Sequence, residues 1–263
     1  MKSMKIATWN VNSLTVRLPQ VLDWLAANPV DALCLQELKL SDDKFPLQAL
    51  QAVGYQSAVF GQKTYNGVAI LSRTLARGIV KNIEGFADEQ SRVIAATLDL
   101  PGGEVRVVNG YFVNGQSPES EKFAYKMKWL ESLRGWLSME LARHPNLVLL
   151  GDFNITADDR DTFDPDGLRE TIHHTTEERL HFQELLKLGL TDAFRMFDQP
   201  EKSYSWWDYR EFAFRRNRGM RIDYILVSDA LKPWVRSCVI DKLPRKNERP
   251  SDHVPVVVEF KLL

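Results

Sequence analysis

Short apolar runs that stop at a polar side chain recur along this chain, and segments with apolar residues at helical spacing lie between them. Lys5 to Asn10 (KIATWN) reads as a first strand that ends in Asn10, with Asn12 just past the following turn. Leu18, Val21, Leu22 and Leu25 follow a helical period, with Pro19 near the helix start and Asn28-Pro29 at its end. Asp31 to Glu37 (DALCLQE) is the next buried strand, and it ends in Gln36-Glu37. Gly54 to Phe60, Asn66 to Ser72, Arg92 to Leu98 and Val105 to Tyr111 read as further strands, the last running into Phe112-Val113-Asn114-Gly115. A long amphipathic helix is predicted over Glu119 to Arg143, with Phe123, Met127, Leu130 and Leu133 on one face.

The stretch LVLLGDFN, Leu147 to Asn154, is the one around which the rest is arranged. Four apolar residues run into Gly151 and stop at Asp152, which puts that carboxylate just past the carboxyl end of a buried strand, where α/β sheets present their chemistry. Taken alone, G-D-x-N is equally well a strand followed by an Asx turn. Asp158 to Asp166 holds five aspartates against one arginine but lacks the EF-hand order, which predicts a solvated loop and not a Ca²⁺ site. Thr175 and Glu178 form a capping box for a helix through Leu188. Arg221 to Val227 (RIDYILV) is a strand that places Asp223 where an unpaired carboxylate is costly, so a cationic or donor partner is expected. His253, in Ser251-Asp252-His253 ahead of the last strand VVVEF, is the candidate partner.

Composition narrows the setting more than the fold. With 44% hydrophobic and 26% charged residues over 263 positions, the chain reads as one globular α/β or two-sheet domain over residues 1–263. No apolar run approaches the roughly 18 to 20 residues of a membrane span, and the amino-terminal stretch lacks a signal-peptide core. The expectation is a cytoplasmic protein without a membrane partner. Cys34 and Cys238 lie in apolar, strand-like runs, as small buried thiols in a reducing compartment do. The net charge of -1 conceals a local asymmetry, since Arg210 to Arg221 holds five arginines against one acid and follows the aromatic pair Trp206 and Trp207. Arginines bind phosphates and aromatic faces hold unstacked bases or sugars, so this stretch points to nucleic acid. A solvated loop with core aromatics is the plainer alternative.

Asn10, Glu37, Tyr111, Asp152, Asn154, Asp223, and Asp252 with His253 all stand at or beside strand ends. One shared cleft accounts for them together. Oxygen donors without a cysteine or a second nearby histidine favour Mg²⁺, with Mn²⁺ able to substitute, over zinc. An Asp–His pair beside such an ion suits phosphoryl chemistry.

The ordered set WNVN, LQE, YxxNG, GDFN, RID and SDH resembles the exonuclease III family of abasic-site endonucleases, within the wider endonuclease/exonuclease/phosphatase superfamily, over nearly the whole chain. The resemblance implies a four-layer α/β sandwich, two mostly antiparallel (mixed) sheets face to face with helices outside. It implies Glu37 as the main metal ligand, with Asn10 and Asp252 close to the ion or water-linked to it. Asp152 matches the residue that orients or deprotonates the attacking water, with Asn154 beside it, and His253, held by Asp223, matches the histidine on the scissile phosphate. Tyr111 and Asn114 match phosphate-side contacts, Trp206 and Trp207 match aromatic positions around the sugar pocket, and Asn12, Arg210 and Arg216 are implied substrate contacts. The implied enzyme is a monomeric, Mg²⁺-dependent repair nuclease acting on double-stranded DNA with 3′ ends, nicks or abasic lesions.

Two departures qualify the match. Val113 stands where the family often has proline, and His173, His174 and Thr175-Thr176 stand where its abasic-site endonucleases usually have a small residue, a phenylalanine and a proline-containing helix start. That phenylalanine helps form the pocket for a flipped-out abasic sugar, so 3′-end processing is expected over internal incision. His173 and His174 are also expected beside a helix amino terminus whose free N–H groups favour a DNA phosphate. The competing readings are a full abasic-site endonuclease, a phosphoesterase on a non-DNA substrate, and a binding protein that kept the fold and lost catalysis. The last would require loss of Glu37, Asp152, Asp223, Asp252 or His253, and all are present.

Overall fold

The computed structural model describes residues 3–261. In chain order the main elements are β1 (Ser3–Asn10), α1 (Leu14–Ala27), β2 (Ala32–Gln36), α2 (Leu47–Ala52), β3 (Gln56–Phe60), β4 (Val68–Ser72), β5 (Arg77–Lys81), β6 (Val93–Leu100) and β7 (Gly103–Tyr111). They continue with α3 (Glu121–Arg143), β8 (Leu147–Asp152), α4 (Thr176–Leu186), β9 (Leu190–Asp192), β10 (Asp223–Ser228), β11 (Val235–Ile240) and β12 (Val256–Lys261). The strands make two six-stranded sheets, ordered β11-β12-β1-β2-β4-β3 and β5-β6-β7-β8-β10-β9. Each sheet has a single parallel pair at its centre, β1 with β2 and β7 with β8, and every other pairing is antiparallel. A parallel pair needs a long crossover, which α1 supplies in one sheet and α3 in the other.

Central strands are apolar on both faces because both faces are covered. Cys34 of β2 points between the sheets, into a core with Ile6, Ile70, Val107, Leu150 and Val258. Its neighbours Leu33 and Leu35 point outward, against Val21, Trp24 and Leu25 of α1. On the far side, Trp129 and Leu133 of α3 and Phe182 of α4 cover Leu149 and Tyr224. The four layers and mixed sheets match the sequence-based expectation, and both cysteines are free and buried. No described helix is long and apolar enough to cross a membrane.

Five expectations need correction. α1 begins at Leu14, so Pro19 lies inside the helix and not near its start; the backbone N–H groups of Ser13 and Leu14 are held by the carbonyls of Glu37 and Leu38, which pins the helix start a turn early. On α3 the buried stripe also passes through Lys126, while Met127, half-buried, packs against the same core as Leu130 and Leu133. The acidic segment is not uniformly solvated: Asp161 is fully buried, accepting bonds from Arg221 Nε at 2.7 Å and Nη2 at 3.0 Å. Arg221 also meets Asp192 at 2.8 Å, so it is spent on the interior and does not belong to the DNA-facing arginines. Finally α2, β5 and β9 were not expected; β5 is an exposed edge strand and the others are six and three residues long, too short for a periodic signal.

Candidate active site

The carboxyl ends of β1, β2, β7 and β8 meet at one rim of the sandwich. β7 and β8 bring Tyr111 opposite Asp152, and β10 enters antiparallel with Asp223 opposite Asp152 on the other side. One residue earlier, Gly151 faces Gly110 so closely that a Cβ there would lie 1.9 Å from the Gly110 carbonyl oxygen, at a φ of 139°. Glycine at 151 is what lets the two parallel strands deliver their last residues side by side.

Asn10 joins the sheets. Its Nδ2 donates to Glu37 Oε1 and to Asp152 Oδ2, each at 2.9 Å, while its Oδ1 accepts from the Asn12 N–H at 3.0 Å. The amide nitrogen, not the oxygen, therefore faces the carboxylates, and Asn10 bridges Glu37 and Asp152. Beneath it, Gln36 Nε2 donates to Asn109 Oδ1 at 2.6 Å, and Asn109 Nδ2 donates to the Leu35 and Ala69 carbonyls at 2.9 Å. These buried amides tie the floor of the site across both sheets.

Asp152 accepts from the Asn154 N–H at 3.0 Å on Oδ1, and its Oδ2 lies 3.6 Å from His253 Nε2. His253 Nδ1 lies 2.9 Å from Asp223 Oδ2, so the expected Asp223–His253 pair forms. Ser205, which the sequence reading passed over, donates to Asp223 Oδ2 at 2.6 Å and accepts from the Asp223 N–H, holding that carboxylate still. Burial raises the Asp152 carboxyl, to about 7, against the pull of the His253 charge. Burial would also lower His253, but Asp223, Asp152 and Asp252 outweigh it and hold the imidazole up at about 10. The Tyr111 hydroxyl is raised well above its ordinary value by burial and by the charges of Glu37 and Asp152, so it stays a donor.

Glu37, Asp152 and His253 offer ligand atoms within 4.8 Å of one another. With His253 protonated, the donors suited to a hard cation are the carboxylate oxygens. Asp252 lies outside this group: its Oδ1 accepts from Asn12 Nδ2 and its Oδ2 from Trp206 Nε1, each at 3.0 Å, so it orients those side chains. Lys39, also missed, places its ammonium 2.8 Å from Glu37 Oε2. Non-glycine residues with left-handed φ gather here, Asn12 at 45°, Glu37 at 53°, Asn154 at 51° and His173 at 71°. Such strain, of order 1–3 kcal/mol per residue, persists where the surroundings fix it and marks functional sites.

Lys126 is the largest omission of the sequence reading. Fully buried, it pairs with Glu178 and donates to the carbonyls of Asn154 at 2.7 Å and Asn114 at 3.2 Å. Asn114 Nδ2 in turn donates to Asn154 Oδ1 at 3.2 Å. Glu178 also accepts from the backbone N–H groups of His173 and Thr175, and Glu170 accepts from Thr176, so the amino terminus of α4 has its leading N–H groups occupied. Of the free N–H groups expected to await a phosphate, those of Thr175, Thr176 and Glu178 are therefore already taken. His173 is buried with Nδ1 2.6 Å from the Asn154 carbonyl, and burial together with Lys126 lowers it to about 3, so it is neutral. His174 is buried too, lowered by burial, with Nδ1 on the Ile172 carbonyl at 3.0 Å.

His173, His174, Ile172, Trp206, Met220 and Arg210 line a cavity of about 580 Å³ beside these groups. Arg210 is clamped by Asp208 at 2.9 and 2.7 Å. Trp207, expected at the sugar pocket, is fully buried behind it, its Nε1 donating to Asn217 Oδ1 at 3.1 Å and its ring edge-on to Phe214. Arg216 is exposed and does not line the cavity. On the other side of the centre, Tyr111 and Asn114 border a second concavity of about 690 Å³ with Tyr65, Arg92 and Lys122.

Known proteins place this arrangement. Residues 7–253 match the family model for the endonuclease/exonuclease/phosphatase family. An exodeoxyribonuclease III from Haemophilus influenzae is 36% identical over 98% of this chain and all of its own length. A structure described as the 3′ phosphatase NExo from Neisseria bound to product DNA hairpin superposes with a TM-score of 0.95 at 50% identity, covering 98% of this chain and 99% of that one. An AP endonuclease from Archaeoglobus fulgidus gives 0.93 at 35% identity, covering 98% and 100%. With the paired sheets, the Asp223–His253–Asp152 line and a match from Ala7 to His253, the chain belongs to the endonuclease/exonuclease/phosphatase family, on its exonuclease III side.

Proposed function

We propose that the protein is a Mg²⁺-dependent DNA repair nuclease that hydrolyses phosphate esters at the 3′ ends of double-stranded DNA and disfavours incision at internal abasic sites. The observation that carries this reading is the junction of an acid–histidine–acid line with a cavity whose inner wall is His173. Asp152 is placed to accept the proton of an attacking water, since it is buried, faces His253 and is held by Asn10 and Asn154. His253, kept cationic by Asp223, offers Nε2–H to a phosphate oxygen, and the Tyr111 hydroxyl offers a neutral donor at the same end, beside Asn114. Glu37 would hold a Mg²⁺ ion, or Mn²⁺ in its place, and a bound ion of this kind neutralises charge on the phosphate and the leaving oxygen.

His173 supports the substrate preference. Its neutral ring fills the space next to Asn154 and Asn114, which narrows the cavity where a sugar tethered on both sides would have to enter. A 3′-terminal phosphate or sugar fragment is tethered on one side only. The Neisseria neighbour, described as a 3′ phosphatase, supports the same preference, while the Archaeoglobus AP endonuclease represents the alternative of full internal incision. The test is a panel of duplexes with Mg²⁺, carrying a 3′-phosphate, a recessed 3′-hydroxyl or an internal abasic analogue. Turnover of the first two, with slow cleavage of the third, is the expected outcome; internal cleavage as fast as 3′-phosphate removal refutes the preference.

A further inference from the structure

The outer wall of the cavity is the turn-rich segment from Asp208 to Arg218, and its tip is aromatic. Phe212 is 66% exposed, while the residues on either side of it, Glu211 and Ala213, line the cavity. A single exposed phenylalanine is ordinary on a protein surface. This one is held in place. Glu211 and Phe212 are consecutive non-glycine residues in the left-handed region, at φ of 55° and 54°, a conformation that no extended strand or helix would impose.

The segment is braced from below. The Arg216 N–H donates to the Phe212 carbonyl at 3.0 Å, and the Arg218 N–H to the Ala213 carbonyl at 2.9 Å. Phe214 packs against buried Trp207, and the Arg245 guanidinium lies 5.4 Å from the Phe214 ring and 5.1 Å from that of Tyr209. Phe214 therefore anchors the turn and Phe212 is left outside. Around it the field is positive: Arg215 lies 6.0 Å from its ring, and neither Arg215 nor Arg216 has a carboxylate partner among the described residues. An apolar plate with free guanidinium groups beside it fits a nucleobase on a phosphate backbone. A protein partner would sooner cover a broader apolar patch, and the neighbours on this rim are charged.

We infer that Phe212 is a stacking platform for an unpaired base of the strand opposite the processed 3′ end, with Arg215 and Arg216 on that strand's phosphates. The inference rests on the reading of the cavity as the seat of a DNA 3′ end. When a terminal nucleotide enters the cavity, its former partner, or the first overhanging base, loses a stacking neighbour at the cavity lip. Phe212 stands at that lip and supplies a new one. The consequence is selectivity for recessed or frayed 3′ ends over 3′ ends without a base-bearing opposite strand.

The test separates base stacking from charge. Two duplexes share a recessed 3′ end and a 5′ overhang of equal length, one overhang with bases and the other with abasic spacers on the same phosphates. Binding is measured by fluorescence anisotropy in EDTA, so that cleavage is excluded. The wild-type protein should bind the base-bearing overhang about tenfold more tightly, within the usual range for one aromatic–base stack. Phe212→Ala should erase that difference, and Phe212→Trp should keep it. Equal binding of the two duplexes by the wild type, or a preference retained by Phe212→Ala, overturns the inference. Because Phe212 is exposed, an unchanged circular dichroism spectrum and melting midpoint confirm that the alanine variant folds. Cleavage of the same duplexes with Mg²⁺ reports on the nuclease reading separately: a base preference in binding without any cleavage refutes that reading and leaves the stacking role standing.

Discussion

His253 and His173 are both buried within the same site, and their surroundings leave one a cation and the other neutral. His253 touches Asp152 and Asp223, and His173 touches the Asn154 carbonyl two residues away in the chain. Burial alone lowers both. The first has three aspartates around it and is raised to about 10; the second has Lys126 nearby and falls to about 3. Neighbouring charge, not depth, decides which histidine is a cation at neutral pH. The cationic ring can meet a phosphate, and the neutral ring can only fill space and hold a loop. The same difference separates the chemistry from the selection of substrate.

The largest expected effect lies at the residue between the two. Asp152→Asn keeps the shape but removes the proton acceptor, so single-turnover cleavage should fall by about a hundredfold to ten-thousandfold. DNA affinity should stay equal or rise, since a negative charge leaves the phosphate's surroundings; a parallel loss of binding would point to misfolding. Next in size is the lysine side. Lys126→Met strands Glu178 in the interior, which should cost about 3–5 kcal/mol in urea unfolding, and adding Glu178→Gln should recover most of it. An unchanged midpoint for the single variant would remove the pair from the account.

A smaller effect is expected on the aspartate side. The raised value of His253 means that its cation is present at neutral pH and is lost as pH rises through about 10. Asp223→Ala should move the alkaline limb of the pH–rate profile down toward the ordinary imidazole value of about 6.5 and lower the rate at neutral pH. A limb that does not move would show that His253 draws its charge elsewhere. The most gradual effect concerns stability in acid. His173 binds its proton only near 3 in the folded protein but near 6.5 when unfolded, so the unfolded chain gains as pH falls through that window. Stability present above about 6.5 is lost below it, by up to about 1.4 kcal/mol per pH unit, and His173→Gln should flatten that slope in urea titrations.

Much of this site was legible because strand-end residues announce themselves. Asn10, Glu37, Tyr111 and Asp152 each close or follow an apolar run and Asp223 opens one, and the pairing of β1 with β2, of β7 with β8 and of β8 with β10 brings them together. Lys126 was missed because its charge breaks an apolar helical stripe, and such a residue reads as surface until its partner, 52 positions away, is known. Ser205 and Lys39 carry no local signal at all; each matters through contacts made in three dimensions. Trp207 and Arg221 were misread for the opposite reason, since interleaved aromatics and arginines look alike whether they face a ligand or the core. The capping box of Thr175 and Glu178 was read correctly, yet its consequence was not drawn: a helix terminus satisfied by its own glutamate has little left for a phosphate.

The central claim is that the His173–His174 pair, and not the catalytic groups, withholds internal abasic sites. His173→Gly with His174→Phe tests it directly. Glycine accepts the φ of 71° at 173 without strain, and the Asn154 carbonyl keeps its bond to Lys126 when the imidazole is gone, so the double variant should fold. Single-turnover cleavage of a duplex with an internal abasic analogue, measured beside 3′-phosphate removal, should rise about tenfold or more, a size within reach of one reshaped pocket, while 3′-phosphate removal stays nearly constant. A wild-type protein that already incises internal sites as fast as it trims 3′ ends, or a double variant whose ratio of the two rates does not change, would contradict the account.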